Sequence, residues 1–263
     1  MTDEQTQAGP FPLIKVAGVP IAVARLDSAV EWLANSAIAR SLGCGASVHL
    51  VNSWSIALAD RQPYYREALV AAGVVNLPDG LPVARLISAR SGQAGVHVRG
   101  PSLFRQVLDV GREQGVRHFL LGGTDESMAK LLREIDAQYP GVMIVGSSAP
   151  PYGPVDEAFV ASAVSAIGST NPDIVWVALG TPKQDVASNL LSRETGLNCV
   201  AVGAAFDFLA GTVKEAPRFL HGSGMEWLYR LVAEPSRLWR RYLVGNIEFL
   251  KAVFAHCRED RAR

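Results

Sequence analysis

From about Pro12 onward, short β-branched runs alternate with stretches whose apolar residues return every three or four positions. This alternation predicts an α/β fold, a Rossmann-like parallel sheet flanked by helices. Residues 13–24 read as one or two strands. Asp27 is placed to cap a helix whose apolar face holds Val30, Leu33, Ala34 and Ile38. Residues 47–52 form a buried strand ending on a polar residue. Ala57, Leu58, Tyr65, Leu69 and Val70 then pack in helical fashion, with Pro63 at a helix start, and Val74 and Val75 lead into the turn Leu77-Pro78-Asp79-Gly80.

Three later units are sharper. A strand over 118–121 runs into Gly122-Gly123-Thr124 and a helix with Met128, Leu131, Leu132 and Ile135 on one face. Residues 142–145 read as a strand and 159–167 as a helix. Residues 174–179 form an apolar strand of the kind buried on both faces. Gly180-Thr181-Pro182-Lys183-Gln184 follows, with Thr181 as the expected N-cap, Pro182 first in the helix and Gln184 closing a capping box. A last core strand over 199–202 precedes Phe206-Asp207-Phe208-Leu209-Ala210-Gly211. Past Pro217 the character changes to a C-terminal basic helical appendage. Phe219, Trp227, Tyr229, Trp239, Tyr242, Phe249 and Phe254 there interleave with arginines, in two or three helices divided near Pro235. The expected organisation is a disordered N-terminus over 1–10, a core over 11–213 and the appendage over 214–263.

Composition narrows the classes. The formal net charge is zero, which leaves no general basic surplus for a nucleic-acid partner. Residues 214–263 nevertheless hold ten Lys or Arg against six Asp or Glu, so the appendage carries about +4. Cys44, Cys199 and Cys257 show neither disulfide-framework nor zinc spacing, which fits a reducing cytoplasm. The N-terminus does not read as a signal peptide, and the chain has no apolar run of about 18 residues. Any membrane contact is therefore expected to be peripheral, with Trp and Tyr at headgroup depth and Arg on anionic lipid.

Loops at the carboxyl ends of parallel strands form the ligand crevice of such folds. Gly122, Gly123, Thr124, Gly180 and Thr181 sit at helix starts on that edge, where backbone N–H groups attract phosphate; the same glycines serve equally well as tight turns. No full GxGxxG with a following acidic residue, no Walker loop, no DxD and no metal-ligand cluster occurs. A nicotinamide enzyme is disfavoured and no metal site is expected, so charge on a diphosphate falls to Arg, Lys and helix ends. Asp79 is positioned to take a proton from an attacking hydroxyl, or simply to shape its turn. Asp207, between two phenylalanines, accepts backbone hydrogen bonds or faces a ligand.

Five motifs in order carry a resemblance: Leu77-Pro78-Asp79-Gly80, Phe119-Leu120-Leu121-Gly122-Gly123, Gly180-Thr181-Pro182-Lys183-Gln184, Phe206-Asp207-Phe208-Leu209-Ala210-Gly211 and Glu226-Trp227-Leu228-Tyr229-Arg230-Leu231. With the segment from Glu234-Pro235 to Gly245-Asn246, the chain resembles the WecG/TagA/CpsF family, glycosyltransferase family 26, over residues 13–250. The resemblance implies an inverting, metal-independent β-glycosyltransferase with no cofactor. Its donor would be a UDP-sugar such as UDP-N-acetylmannosamine and its acceptor a sugar on polyprenyl diphosphate, at the cytoplasmic face of the membrane.

The resemblance also makes Asp79 the general base and gives Asn52 a role in orienting donor or acceptor. It puts Lys183 and Gln184 on the nucleotide-sugar, and Arg230, Arg237 and Arg240 over the diphosphate. The family's threonine two residues before Asn52 is Leu50 here, with His49 and Ser53 as candidate substitutes. A UDP-hexose donor such as UDP-glucose with a longer lipid-linked acceptor, a silent scaffold of a polysaccharide assembly complex, and a homo-oligomer stay open.

Overall fold

The computed structural model describes residues 9–38, 45–220 and 225–262; most of the 1–10 segment, Cys44 and the side chain of Arg237 lie outside the described residues. Six parallel strands form one sheet: β3 (Ser47–Val51), β4 (Val74–Pro78), β5 (Arg117–Gly122), β6 (Met143–Ser148), β7 (Ile174–Ala178) and β8 (Asn198–Ala201), in the order β4-β3-β8-β7-β5-β6. An antiparallel hairpin, β1 (Leu13–Val16) and β2 (Val19–Ala22), packs beside β4, where the Asn76 amide donates to Pro20 O at 2.9 Å. Strands β3 and β8 are buried throughout and β7 nearly so, as apolar strands covered on both faces must be, whereas β6 at the open edge is half exposed.

Helices cover both faces. On one side α1 (Leu26–Ile38), α5 (Gly100–Gln114) and α6 (Asp125–Gln138) bury Leu33, Phe104, Leu108 and Leu131 against Trp176 and Leu120. Trp176 also needs a partner for its indole N–H, and His118 Nδ1 accepts it at 3.1 Å in the core. On the other side α7 (Glu157–Gly168) and α8 (Lys183–Thr195) pack on Phe119, Val175 and Val177. A further cluster joins the hairpin to α2 (Ser53–Arg61), α3 (Pro63–Val70) and α4 (Leu81–Ser91) through Ile21, Ile56, Tyr65, Leu69 and Ile87. Helices α4 and α5 fill the stretch between Gly80 and Arg117, to which the apolar pattern above assigns nothing. Both begin with a proline in their first turn and end on a left-handed glycine, Gly92 and Gly115.

Two expected caps are corrected. Helix α1 starts at Leu26, so Asp27 lies inside its first turn and accepts the neighbouring Ser28 N–H at 2.8 Å. Helix α8 starts at Lys183, with Pro182 rather than Thr181 at the cap, and no capping box forms. The reason is that Gln184 Oε1 accepts the Gly180 N–H at 3.0 Å, one residue further back, and glycine has no side chain to return the second half of the box.

After α9 (Ala205–Leu209) the chain continues to α10 (Glu226–Ala233) and α11 (Pro235–Trp239), then a π-helical turn over Arg240–Val244 and α12 (Gly245–Ala262). Helix α12 lies on α2. A Cβ at Gly245 would stand 2.7 Å from the Trp54 ring, so only glycine permits this approach. Ser53 Oγ donates to Asn246 Oδ1 at 2.6 Å, Arg61 pairs with Glu248 at 2.7 Å, and Phe249 and Ala252 are buried. None of the described helices is long and apolar enough to cross a membrane.

Candidate functional site

A cavity of about 390 Å³ opens over the carboxyl ends of β3 and β4, on the edge where parallel sheets hold ligands. Its floor is Asn52, Ser53, Asp79 and Gly80; Arg99 and Phe208 form one wall; Trp227, Arg230, Arg241, Tyr242 and Asn246 from the last helices form the roof.

Asn52 and Asp79 continue parallel neighbours, because β3 and β4 pair with Val51 opposite Pro78 and the Asp79 N–H donates to Val51 O at 2.9 Å. Asn52 is the N-cap of α2, where its Oδ1 accepts the N–H groups of Trp54 at 3.1 Å and Ser55 at 3.3 Å. Such a cap contributes about 1 kcal/mol. It also leaves the amide NH₂ turned to Asp79 Oδ2, a long contact of 3.5 Å. Asp79 is half-buried and has no ion-pair partner of opposite charge among the described residues.

The roof brings cations. Arg230 lies over the Phe208 ring at 5.1 Å, and its Nε is buried with no hydrogen-bond partner. Arg241 points into the same space: burial lowers its pKa, the neighbouring Arg230 charge lowers it further, and Tyr242 and Asp79 act the other way. A guanidinium remains charged under such shifts. Neither Arg230 nor Arg241 has a carboxylate in ion-pair contact among the described residues. Arg85 and His97 also line the cavity. Arg99 differs, because Glu215 and Glu226 already match its charge at 2.6 and 2.8 Å; breaking a buried pair of this kind costs about 3–5 kcal/mol.

The expected residues divide. Asn52, Asp79 and Arg230 meet in the cavity. Arg240 does not: it is exposed and stacks on Trp239 at 5.2 Å. Arg241 takes the cavity position because the π turn, closed by the Gly245 N–H on Arg240 O, shifts which side chain faces inward. Of the two substitutes for the missing threonine, Ser53 lines the cavity. His49 is fully buried between Ser47 at 2.8 Å and Asn76 at 3.2 Å, and burial drops its pKa to about 4. Leu50 is a core residue that meets the start of α5 at Gly100.

Gly122, Gly123, Thr124, Gly180, Thr181, Lys183, Gln184 and Asp207 share the carboxyl edge but lie outside the cavity lining. Gly122 is required by packing: at φ 132° its missing Cβ would stand 2.4 Å from Ala178 O. Thr124 and Ser127 close a capping box on α6, whose first turn carries Asp125 and Glu126. Gln184 is buried against Gly203 and holds the Gly180 N–H. Lys183 donates to Gly153 O at 2.7 Å and lies 3.9 Å over the ring of Tyr152, which is 97% exposed. Asp207 is half exposed on α9 and accepts from the Thr212 hydroxyl at 3.3 Å.

The cavity thus offers a carboxylate oriented by an amide, with two unmatched guanidiniums facing it. That set can hold a phosphorylated ligand and accept a proton from a hydroxyl brought against Asp79. The profile of the glycosyl transferase WecG/TagA/CpsF family matches residues 14–263. An N-acetylglucosaminyldiphosphoundecaprenol N-acetyl-beta-D-mannosaminyltransferase from Bacillus subtilis (strain 168) is 29% identical over 227 residues, covering 86% of this chain and 85% of its own.

Proposed function

Because the chain belongs to the WecG/TagA/CpsF family of glycosyl transferases, we propose that it moves a sugar from a UDP-sugar to an acceptor sugar carried on polyprenyl diphosphate, inverting the anomeric carbon and using no metal or cofactor. The Bacillus subtilis relative is named for an N-acetylmannosaminyl transfer onto N-acetylglucosaminyldiphosphoundecaprenol, and we take N-acetylmannosamine as the first donor to test. The observation that carries the reading is Asp79 at the cavity floor beneath Arg230 and Arg241.

In this reaction Asp79 accepts the proton of the acceptor hydroxyl as that oxygen attacks the anomeric carbon, and the bond to the nucleotide diphosphate breaks on the opposite face. Asn52 fixes the carboxylate. Arg230 and Arg241 hold diphosphate charge in a cavity partly closed from water, where such contacts strengthen. Arg237 belongs to the same basic set. The nucleotide lies along Gly180, Thr181, Lys183, Gln184 and Asp207, with Gly122, Gly123 and Thr124 beyond, and the exposed Tyr152 ring beside Lys183 offers a stacking face. Peripheral binding to the inner membrane surface is supported by Phe219, Val232, Leu243, Ile247 and Phe254, large apolar side chains left exposed along the C-terminal segment.

The test is UDP release from UDP-N-acetylmannosamine with N-acetylglucosaminyl-diphosphoundecaprenol present, comparing the native chain with Asp79→Asn. Acceptor-dependent release lost in the variant supports the reading; equal release by both removes Asp79 as base. A productive UDP-glucose reaction in the same screen would instead establish the hexose alternative.

A further inference from the structure

Arg99 lines the cavity, yet its charge is matched within the protein. Its Nη1 lies 2.6 Å from Glu215, its Nη2 2.8 Å from Glu226, and its Nε donates to the same Glu226 oxygen at 2.9 Å. The side chain is only 8% exposed, and Arg105 holds Glu215 from the other side at 2.7 Å. One guanidinium therefore joins the start of α5, the connector after α9 and the first residue of α10.

Helix α10 buries no side chain of its own. Its contacts outside the helix include two ring contacts, Arg230 over Phe208 at 5.1 Å and Trp227 against Tyr242 at 6.0 Å, and the Glu226 pair adds a charged fixed point that sets its rotation about the helix axis. Glu226 and Arg230 are four residues apart and share a face, so holding the first sets where the second points. The Phe208 ring is a common wall, 5.8 Å from the Arg99 guanidinium and 5.1 Å from that of Arg230.

We propose that Arg99 is a positioning residue: through Glu226 it holds α10 in the rotation that turns Arg230 into the cavity, and sugar transfer depends on it. The catalytic part rests on the function proposed above, whereas the hold on α10 is open to test without substrate.

The full-length chain is used throughout. Arg99→Met keeps much of the stem and removes the charge, Glu226→Gln neutralises the other partner, and the double variant removes both. Amide hydrogen exchange over 226–233 is expected to rise about tenfold or more in each single variant, with β3, β4 and β8 unchanged. The double variant should rise no further than the more affected single one. Arg99→Lys should recover part of the protection. Unchanged exchange over 226–233 in Arg99→Met overturns the proposal, as does a rise spread equally over β3, β4 and β8.

Turnover of UDP-N-acetylmannosamine with N-acetylglucosaminyl-diphosphoundecaprenol is followed in parallel. For Arg99→Met we expect kcat to fall about tenfold with the KM of the nucleotide-sugar unchanged; normal kcat beside a loosened α10 overturns the dependence of transfer on Arg99. If the native chain fails to turn over any such pair, the proposed function falls, and the exchange data still decide whether Arg99 sets α10.

Discussion

The side-chain amide of Asn52 faces the carboxylate of Asp79 at 3.5 Å, and its orientation is decided elsewhere, by the α2 backbone N–H groups that take its oxygen. Helix capping and the presentation of the carboxylate are therefore one structural event.

Asp79→Asn is expected to lower acceptor-dependent turnover by about 10²–10⁴-fold, the range of a lost general base. Its secondary structure and melting temperature should match those of the native chain, because the Asp79 side chain caps nothing. Steady-state kinetics beside circular dichroism checks both halves.

Arg241→Ala should weaken kcat/KM for the lipid-linked substrate about 10- to 100-fold, the equivalent of one or two charge-assisted hydrogen bonds. Arg240→Ala should stay within about threefold, since that side chain stacks on Trp239 outside the cavity. Equal losses in the two variants would contradict the π-turn geometry.

Asp185 is buried beside Tyr65, whose hydroxyl donates to it at 2.7 Å, and burial pushes its pKa from 3.8 up to about 7. A carboxyl raised in the folded state favours folding when protonated, so this contribution is complete below pH 3.8 and is lost as pH rises through about 7. His49 and His118, both lowered to about 4, act with the opposite sign between about 4 and 6.5. Their effect is common to both proteins when Asp185→Asn is compared with the native chain. The melting temperature of the variant minus that of the native chain should therefore rise by about 5 °C or more from pH 5 to pH 8. Calorimetry at several pH values would show the idea wrong if that difference were flat.

Gly122→Ala places a methyl against Ala178 O and asks alanine to adopt φ 132°. We expect a destabilisation of about 2–4 kcal/mol, read as a shift in the urea midpoint. Gly180→Ala meets no neighbour within 4 Å, and its cost should be confined to the strain of φ 78°.

The sheet was legible because its central strands are largely apolar on both faces; Asp79 stood out as a turn carboxylate after a strand, with turn shaping as the alternative, and Asn52 was singled out only by the resemblance to the family. Helices α4 and α5 carried proline and glycine boundaries that the apolar spacing alone did not reveal. Arg241 was hidden for another reason. Adjacent arginines look equivalent in a sequence, and only the wider turn over Arg240–Val244 decides which one faces inward. His97, Arg85 and Asn246 reach the cavity from separate elements, without a shared spacing to announce them.

Gly245 lets α12 settle on Trp54 and so brings the roof of the cavity down onto its floor. Floor and roof thereby differ in how much of the fold rests on them. Substitutions among the strand ends risk the whole sheet, whereas the roof helices bury few side chains and can drift in sequence. Diversification toward new sugars or lipid carriers has its widest latitude there, provided the Gly245 contact and the cavity-facing Arg230 and Arg241 are retained.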